Sequence, residues 1–302
     1  MVRKWIFIPL LALGITGIIV GSFLDFNINS ALYDRNNGFG VFMASFGQLP
    51  AYGFLGTLAY GFLYLTIKHY KKIWQRILFI LLAVILVGAG IYFQGWDIFC
   101  VNGYNNKSLA FLGYIISTIL IGLGALFGYF ILRNTEVEKE VILKVLLAIL
   151  FVMLLALGIT QLVKIFMSRP RFRFISDYNL LDEFKNWWES GKELKKNSVG
   201  VLEDVTSEEF KSFPSGHISN TASFIAIACY LPYLNKKIKV KQEYLMAFAL
   251  VWVLVLAYTR MRVGAHFLSD VSFGFTISIL GFMVVDLIMF KKNQPPLSSE
   301  TL

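Results

Sequence analysis

Three short polar stretches interrupt an otherwise apolar chain, and each carries side chains suited to a small anion such as phosphate. Residues 164–173 read Lys-Ile-Phe-Met-Ser-Arg-Pro-Arg-Phe-Arg, so Lys164, Arg169, Arg171 and Arg173 place four cations within ten residues. A guanidinium fork binds phosphate oxygens in pairs, and a lysine adds a point charge. Residues 213–219 read Phe-Pro-Ser-Gly-His-Ile-Ser. Pro214 restricts the approach of the chain, Ser215 can cap a helix, and Gly216 lets the backbone come close to a ligand. Free amides at such a helix start form an anion site, with His217 in the first turn placed to give a proton. Residues 259–270 carry Thr259, Arg260, Arg262, Gly264, His266 and Asp270. A spacing of four puts His266 and Asp270 on one helix face, where a carboxylate can hold one imidazole nitrogen and leave the other free to attack. Taken singly, each cluster has a plain structural alternative: solvated flank charge, a capping histidine, a buried His–Asp pair.

The elements that must position these clusters are membrane helices. Of 302 residues, 57% are hydrophobic and 16% charged, against about 45–50% and about 25% in soluble domains. Long uncharged runs recur along the chain, which excludes a soluble enzyme. An apolar core about 30 Å thick needs about 20 helical residues. The distances between charges delimit eight such runs: 5–23, 41–67, 77–96, 108–132, 145–163, 218–234, 244–259 and 267–290. The first is too long for a signal-peptide core and lacks a small-residue cleavage site, so it is read as a helix. The expected fold is all-α, a polytopic bundle of about eight transmembrane helices. The net charge of +9 resides mostly in loops between the runs; it reads as membrane anchoring, and no nucleic-acid partner is expected. Cys100 and Cys229 fall in different segments and suggest neither a disulfide framework nor a zinc site.

Loop charges orient the bundle. Arg3 and Lys4, the loops 68–76, 133–144 and 236–241, and Lys291 with Lys292 are basic, whereas the loops 25–39 and 97–107 hold only Arg35 and Lys107. The positive-inside rule then makes both termini cytoplasmic and puts residues 164–213 and 260–265 outside. All three clusters thereby reach one face of the membrane, where four cations in ten residues run against the usual bias and favour an anionic ligand. Within the outer segment, residues 180–196 mix Leu180, Leu181, Phe184, Trp187, Trp188 and Leu194 with charges, a pattern for a short interfacial helix. Thr206 and Glu209 read as a capping box. His69 is expected to be solvated in a cytoplasmic loop, and Asp286 to reach water near the end of the last run.

Taken together, the clusters resemble the type 2 phosphatidic acid phosphatase superfamily of membrane lipid phosphatases. Its first motif is Lys, six residues, Arg, Pro; Lys164 and Arg171 have that spacing, with Phe172 in place of Pro. The second, Pro-Ser-Gly-His, is complete at residues 214–217. The third is Ser-Arg, five residues, His, three residues, Asp; Arg260, His266 and Asp270 match it, with Thr259 in place of Ser. The resemblance implies a six-helix catalytic core in residues 74–292, including the outer segment 164–213. Two additional helices in residues 1–73 and a cytoplasmic tail at 293–302 would complete the chain.

The resemblance also implies roles. His266 would be a nucleophile forming phosphohistidine, Asp270 its orienting partner, and His217 the acid that protonates the leaving alkoxide and later activates water. Lys164, Arg171, Arg260 and the amides around Ser215 and Gly216 would hold the phosphoryl oxygens, with no metal and no cofactor. Arg169, Arg173 and Arg262 fall outside the motifs and would extend the anion site or face lipid headgroups. Expected substrates are lipid phosphates or diphosphates of the undecaprenyl diphosphate, phosphatidylglycerol phosphate or phosphatidate type, met at the outer leaflet of the cell membrane. Alternatives are a lipid-linked phosphotransferase using the same intermediate, and a non-catalytic lipid binder or transporter. The topology has a direct check: a cysteine introduced at Ser198 should react with an impermeant maleimide on intact cells, and labelling only after permeabilisation would refute it.

Overall fold

A computed structural model describes residues 4–100, 107–238 and 240–290 of the chain. Arg3, the loop residues 101–106, Lys291, Lys292 and the tail 293–302 lie outside the described residues, as do the expectations that fall on them. Among the described residues every regular element is helical: α1 (Phe7–Leu32), α2 (Gly38–Phe46), α3 (Leu49–Lys68), α4 (Ile73–Cys100), α5 (Ala110–Leu132), α6 (Lys139–Met167), α7 (Phe172–Asp177), α8 (Lys192–Ser198), α9 (Gly216–Tyr230), α10 (Gln242–Arg262) and α11 (Leu268–Met289), with short 3-10 turns between some of them. Six of these, α1, α4, α5, α6, α10 and α11, are long and apolar enough to cross a bilayer. The protein is a polytopic helical membrane bundle. Large apolar side chains are exposed along α1, α4, α5 and α10, as a lipid-facing surface requires.

The second expected run is broken in two. Gly47 and Gln48 separate α2 from α3, and Pro50 in the first turn of α3 has no N–H to carry the ladder across. Main-chain oxygens freed by the break need other donors in an apolar bundle. Gln94 Nε2 reaches Ser45 O at 3.2 Å, and Trp252 Nε1 reaches Gly47 O at 2.7 Å. Ala44 O lies 3.2 Å from Nε2 of His217.

The sixth run is short. α9 spans 15 residues, about 22 Å at 1.5 Å per residue, and continues as a 3-10 turn at Leu231–Tyr233. It is nearly all buried, packed by α6, α10 and α11. Ser219 ties it to two neighbours: Thr160 donates to Ser219 Oγ at 2.8 Å, Ser219 donates to Ala156 O at 3.0 Å, and Ser278 donates to Ser219 O. Small residues allow such close helix approach in lipid, where no hydrophobic effect drives helices together.

Helix α1 packs along α11 through Gly14, Gly17 and Gly21. A Cβ there would come within 2.2 Å of Thr276 Oγ1, 2.2 Å of Ser272 Oγ and 2.6 Å of the Ser269 amide. Over the end of the bundle lies a second apolar cluster, with Phe172, Phe174, Ile175, Val205, Phe210 and Phe267 at its centre. Segment 180–196 is not an interfacial helix: it forms a 3-10 turn at Leu181–Glu183 and then loop, and α8 begins only at Lys192. Trp187 folds inward instead, 5.8 Å from Phe213 and 4.6 Å from Phe273 between ring centres, while Trp188 stays exposed. Thr206 does cap a 3-10 turn, through Glu208 N at 3.3 Å, but Glu209 turns away to Arg173 and no capping box forms. Asp286 is 2% exposed and accepts from Tyr230 at 3.1 Å, so it does not reach water. His69 is half-buried, with Tyr64 5.6 Å away between ring centres.

The α3–α5 contact gives a matched test of this packing. A Cβ on Gly124 would sit 1.8 Å from Gly53 O, whereas one on Gly122 meets nothing within 4 Å. Gly124→Ala should lose about 1–3 kcal/mol, read as a lower Tm in detergent, and Gly122→Ala should lose nothing. Equal Tm values for the two would contradict the packing.

Candidate active site

The first cluster begins in the last turn of α6. Lys164 Nζ lies 3.1 Å from Lys211 O and 3.5 Å from where a Cβ on Gly216 would stand. A side chain at position 216 would therefore intrude between the ammonium and the start of α9. Ser168, in the left-handed region at φ 47°, ends α6 and turns the chain. Arg171 caps α7, is buried, and is held through its amide to Glu209 O at 2.8 Å. Phe172, standing where the resemblance leads one to expect Pro, packs edge-on against Tyr33 and Phe267. Aromatic packing thus does what ring closure would have done, fixing the chain next to Arg171.

The second cluster enters α9 through a cis Phe213–Pro214 bond. Ser215 N donates to Asp270 O at 2.9 Å, and its hydroxyl accepts from Ile218 N at 3.5 Å as the helix cap. His217 Nε2 faces the Ala44 carbonyl, which can only accept, so that nitrogen carries a hydrogen and Nδ1 remains available.

The third cluster departs from the expected helix face. His266 lies in the loop before α11, and Asp270 sits in the first turn of that helix. His266 Nδ1 is 2.7 Å from Ser212 O and 3.8 Å from Asp270 Oδ2, so the direct partner of the imidazole is a main-chain carbonyl. Asp270 acts one step behind. Its Oδ2 accepts from the Ser212 hydroxyl at 2.5 Å and from Phe267 N at 2.8 Å, which ties the end of the His266 loop to the outer segment. With Nδ1 donating to Ser212 O, Nε2 keeps its lone pair. Burial pushes the His266 imidazole down to about 3, outweighing the upward pull of Asp270, so it is neutral near pH 7.

The two imidazoles are 6.4 Å apart between ring centres. Arg260, fully buried near the end of α10, and Lys164 and Arg171 all act electrostatically on both histidines. The residues singled out from the sequence, Lys164, Arg171, Ser215, Gly216, His217, Arg260, His266 and Asp270, therefore meet at one end of the bundle. Thr259 does not join them, since its hydroxyl donates to Leu256 O in its own helix at 2.8 Å. Among the described residues no group of three or more His, Cys, Asp or Glu side chains converges as a metal site.

The extra arginines behave differently from expectation. Arg173 forks onto Glu209 at 2.9 and 2.6 Å, and Arg262 pairs with Asp34 at 3.2 Å. Arg169 neither extends an open anion site nor faces headgroups: it is fully buried, with Nη1 2.6 Å from Asp270 Oδ1 and Nη2 2.9 Å from Asp25 Oδ2. Asp25 and Ser212 were not identified from the sequence. Asp25 had a signal, being the sole charged residue of α1; Ser212 had none, because its use of both a hydroxyl and a carbonyl depends on the loop's path.

Two tethered imidazoles and three cations thus gather at one end of a membrane bundle. Residues 145–294 match the model of the PAP2 superfamily, and that match contains all three clusters. An 86-residue stretch, 27% of this chain, is 38% identical to phosphatidylglycerophosphatase B of Bacillus subtilis (strain 168) and spans 40% of that relative's length. No solved structure matches the chain significantly.

The Arg169 arrangement predicts an asymmetric stability effect. Arg169→Met strands two buried carboxylates, and breaking a buried pair costs about 3–5 kcal/mol. A large drop in Tm is expected, while Arg262→Met, which removes an exposed pair, should leave Tm unchanged. Similar shifts for both would show that Arg169 is not the buried junction described.

Proposed function

We propose that this protein is a lipid phosphatase that works through a phosphohistidine on His266. One observation carries the reading: His266 is tethered by Nδ1 to a carbonyl, neutral at Nε2, and faces His217 among Lys164, Arg171 and Arg260. In the first step the Nε2 lone pair forms a bond to phosphorus as the bond to the ester oxygen breaks. The proton for that oxygen comes from His217, which enters the step as the imidazolium: its Nε2–H stays on the Ala44 carbonyl and its Nδ1–H passes to the ester oxygen, leaving the ring neutral for the second step. In the second step His217 takes a proton from water, the water oxygen bonds to phosphorus, and the electron pair of the P–N bond returns to His266. Charge on the phosphoryl oxygens is met by the three cations and the amides at the start of α9. These groups supply the positive charge that a metal brings elsewhere, which supports a metal-independent reaction.

A site at the helix ends of a membrane bundle suits a substrate whose phosphate lies at the headgroup level and whose chains stay in lipid. The loop charges support the outer leaflet as the place of reaction. The relative's name makes a phosphatidylglycerol phosphate the first substrate to try, ahead of phosphatidate and undecaprenyl diphosphate.

The two histidines separate by leaving group. With a chelator present throughout, rapid quenching of the wild type should trap acid-labile phosphoenzyme, and His266→Ala should trap none from any ester. His217→Ala should lose about 10²–10⁴-fold on a lipid monophosphate, yet still trap phosphoenzyme from an aryl phosphate whose leaving group needs no proton. Equal loss of trapping from the aryl ester in both variants, or loss of the wild-type signal in chelator, would overturn this mechanism.

A further inference from the structure

Helix α1 lies wholly outside the PAP2 match, yet it delivers a carboxylate to the back of the site. Asp25 is 2% exposed. Its Oδ1 accepts from Ser269 N at 2.9 Å, and its Oδ2 accepts from Arg169 Nη2 at 2.9 Å and from the Ser269 hydroxyl. Every one of these contacts is a donor aimed at Asp25, so it sits there as a carboxylate. The opposite edge of the guanidinium holds Asp270 Oδ1 at 2.6 Å and Ser269 Oγ at 2.9 Å, while Nε donates to Lys185 O at 2.8 Å. The face of Arg169 lies 4.1 Å from the ring centre of Phe267, the residue next to His266. A continuous hydrogen-bonded path therefore runs from Asp25 through Arg169, Asp270 and Ser212 to Nδ1 of His266.

We infer that Asp25 is a positioning residue for the chemistry at His266, contributed by a helix beyond the family match; the inference rests on the phosphohistidine reading above. Two arguments separate this role from simple packing. First, α1 is already docked on α11 by close glycine contacts and to the outer segment by the 2.9 Å bond from Trp187 Nε1 to Ser22, neither of which needs a buried charge. A buried ion pair stabilises a fold no better than apolar packing of the same volume, so its presence calls for another use. Second, one Arg between two carboxylates leaves a net negative charge behind the imidazole. When Nε2 bonds to phosphorus the ring becomes cationic, and that charge is stabilised by the carboxylates behind it. Asp25 keeps Arg169 from neutralising Asp270 completely and fixes the angle at which Asp270 holds the Ser212 loop.

The test is single-turnover kinetics on the full-length protein in detergent or vesicles, with an aryl phosphate and a phosphatidylglycerol phosphate. Asp25→Asn keeps size and removes the charge. It should slow phosphoenzyme formation about 10- to 100-fold, as loss of a hydrogen bond to a charged group implies, with KM nearly unchanged. Hydrolysis of the phosphoenzyme, in which the imidazole loses its positive charge, should not slow. Ser269→Ala, which keeps both charges and removes only the bridging hydroxyl, should slow the same step less. Ser22→Ala, one turn away on the same helix, should alter neither step and serves as the docking control. Burst amplitude counts folded sites, so poor folding of Asp25→Asn lowers amplitude and leaves the rate readable; if no burst remains, Ser269→Ala decides. Wild-type formation rates in Asp25→Asn, or equal slowing of both steps, would overturn the inference. Phosphoenzyme still trapped in His266→Ala would overturn the nucleophile reading itself, a separate result.

Discussion

A guanidinium with no exposed surface, held between Asp25 and Asp270, is the interaction on which this end of the bundle depends. A charge taken out of water must be matched where it lies, and an apolar bundle has no water to help. Arg169 meets that demand by drawing together three separate parts of the chain: α1 through Asp25, the outer segment through Lys185 O, and α11 through Asp270 and Ser269. Because Asp270 also holds Ser212, whose carbonyl holds His266, the geometry of the imidazole is inherited from this junction. Phe267 and Phe184 flank the guanidinium and keep its surroundings dry.

The same logic explains the broken helix. A continuous helix through residues 38–68 would bond its own carbonyls, whereas the interruption at Gly47 and Gln48 frees them. Each is met by a side chain from another helix: Gln94 from α4, Trp252 from α10 and His217 from α9. The break thus does for His217 what Ser212 does for His266. In both cases a main-chain carbonyl fixes one imidazole nitrogen, a partner that cannot change protonation state, and leaves the other for a ligand. Gln48 extends the arrangement, accepting from Asn220 at 2.9 Å and donating to Asp97 at 3.2 Å, so the polar wall beside His217 is shared by the break, α4 and α9.

A short central helix makes these approaches feasible. α9 begins at the site and is surrounded by α6, α10 and α11, so its first turn can face all three clusters. Ser219 bonds to α6, and Gly274 on α11 lies where a Cβ would stand 2.5 Å from Ser215 O. Close backbone contact there brings Asp270 O to the Ser215 amide, joining the second and third clusters directly.

How much of this was legible in the chain follows from the range of the forces involved. Membrane helices announce themselves locally, because about 20 apolar residues must be consecutive to span a bilayer, and the all-α bundle and its clusters could be read that way. The motif spacings likewise named the residues that meet, since each motif is itself a short local pattern at the end of an apolar run. Three things required the folded molecule. The break at Gly47 looks like a continuous apolar run, because Pro50 tolerates either outcome until neighbours offer donors for the freed carbonyls. His266 and Asp270, four apart, suggested a shared helix face, but α11 starts between them and Asp270 works through Ser212. Arg169 looked like one more outward cation, and Asp25 like the start of a loop, 144 residues apart. Composition and spacing determine which residues a membrane chain must bury and which it must gather at its ends. Which buried charge faces which is decided only by tertiary packing, because that pairing depends on helices distant in sequence coming within 3 Å, and local pattern carries no record of it.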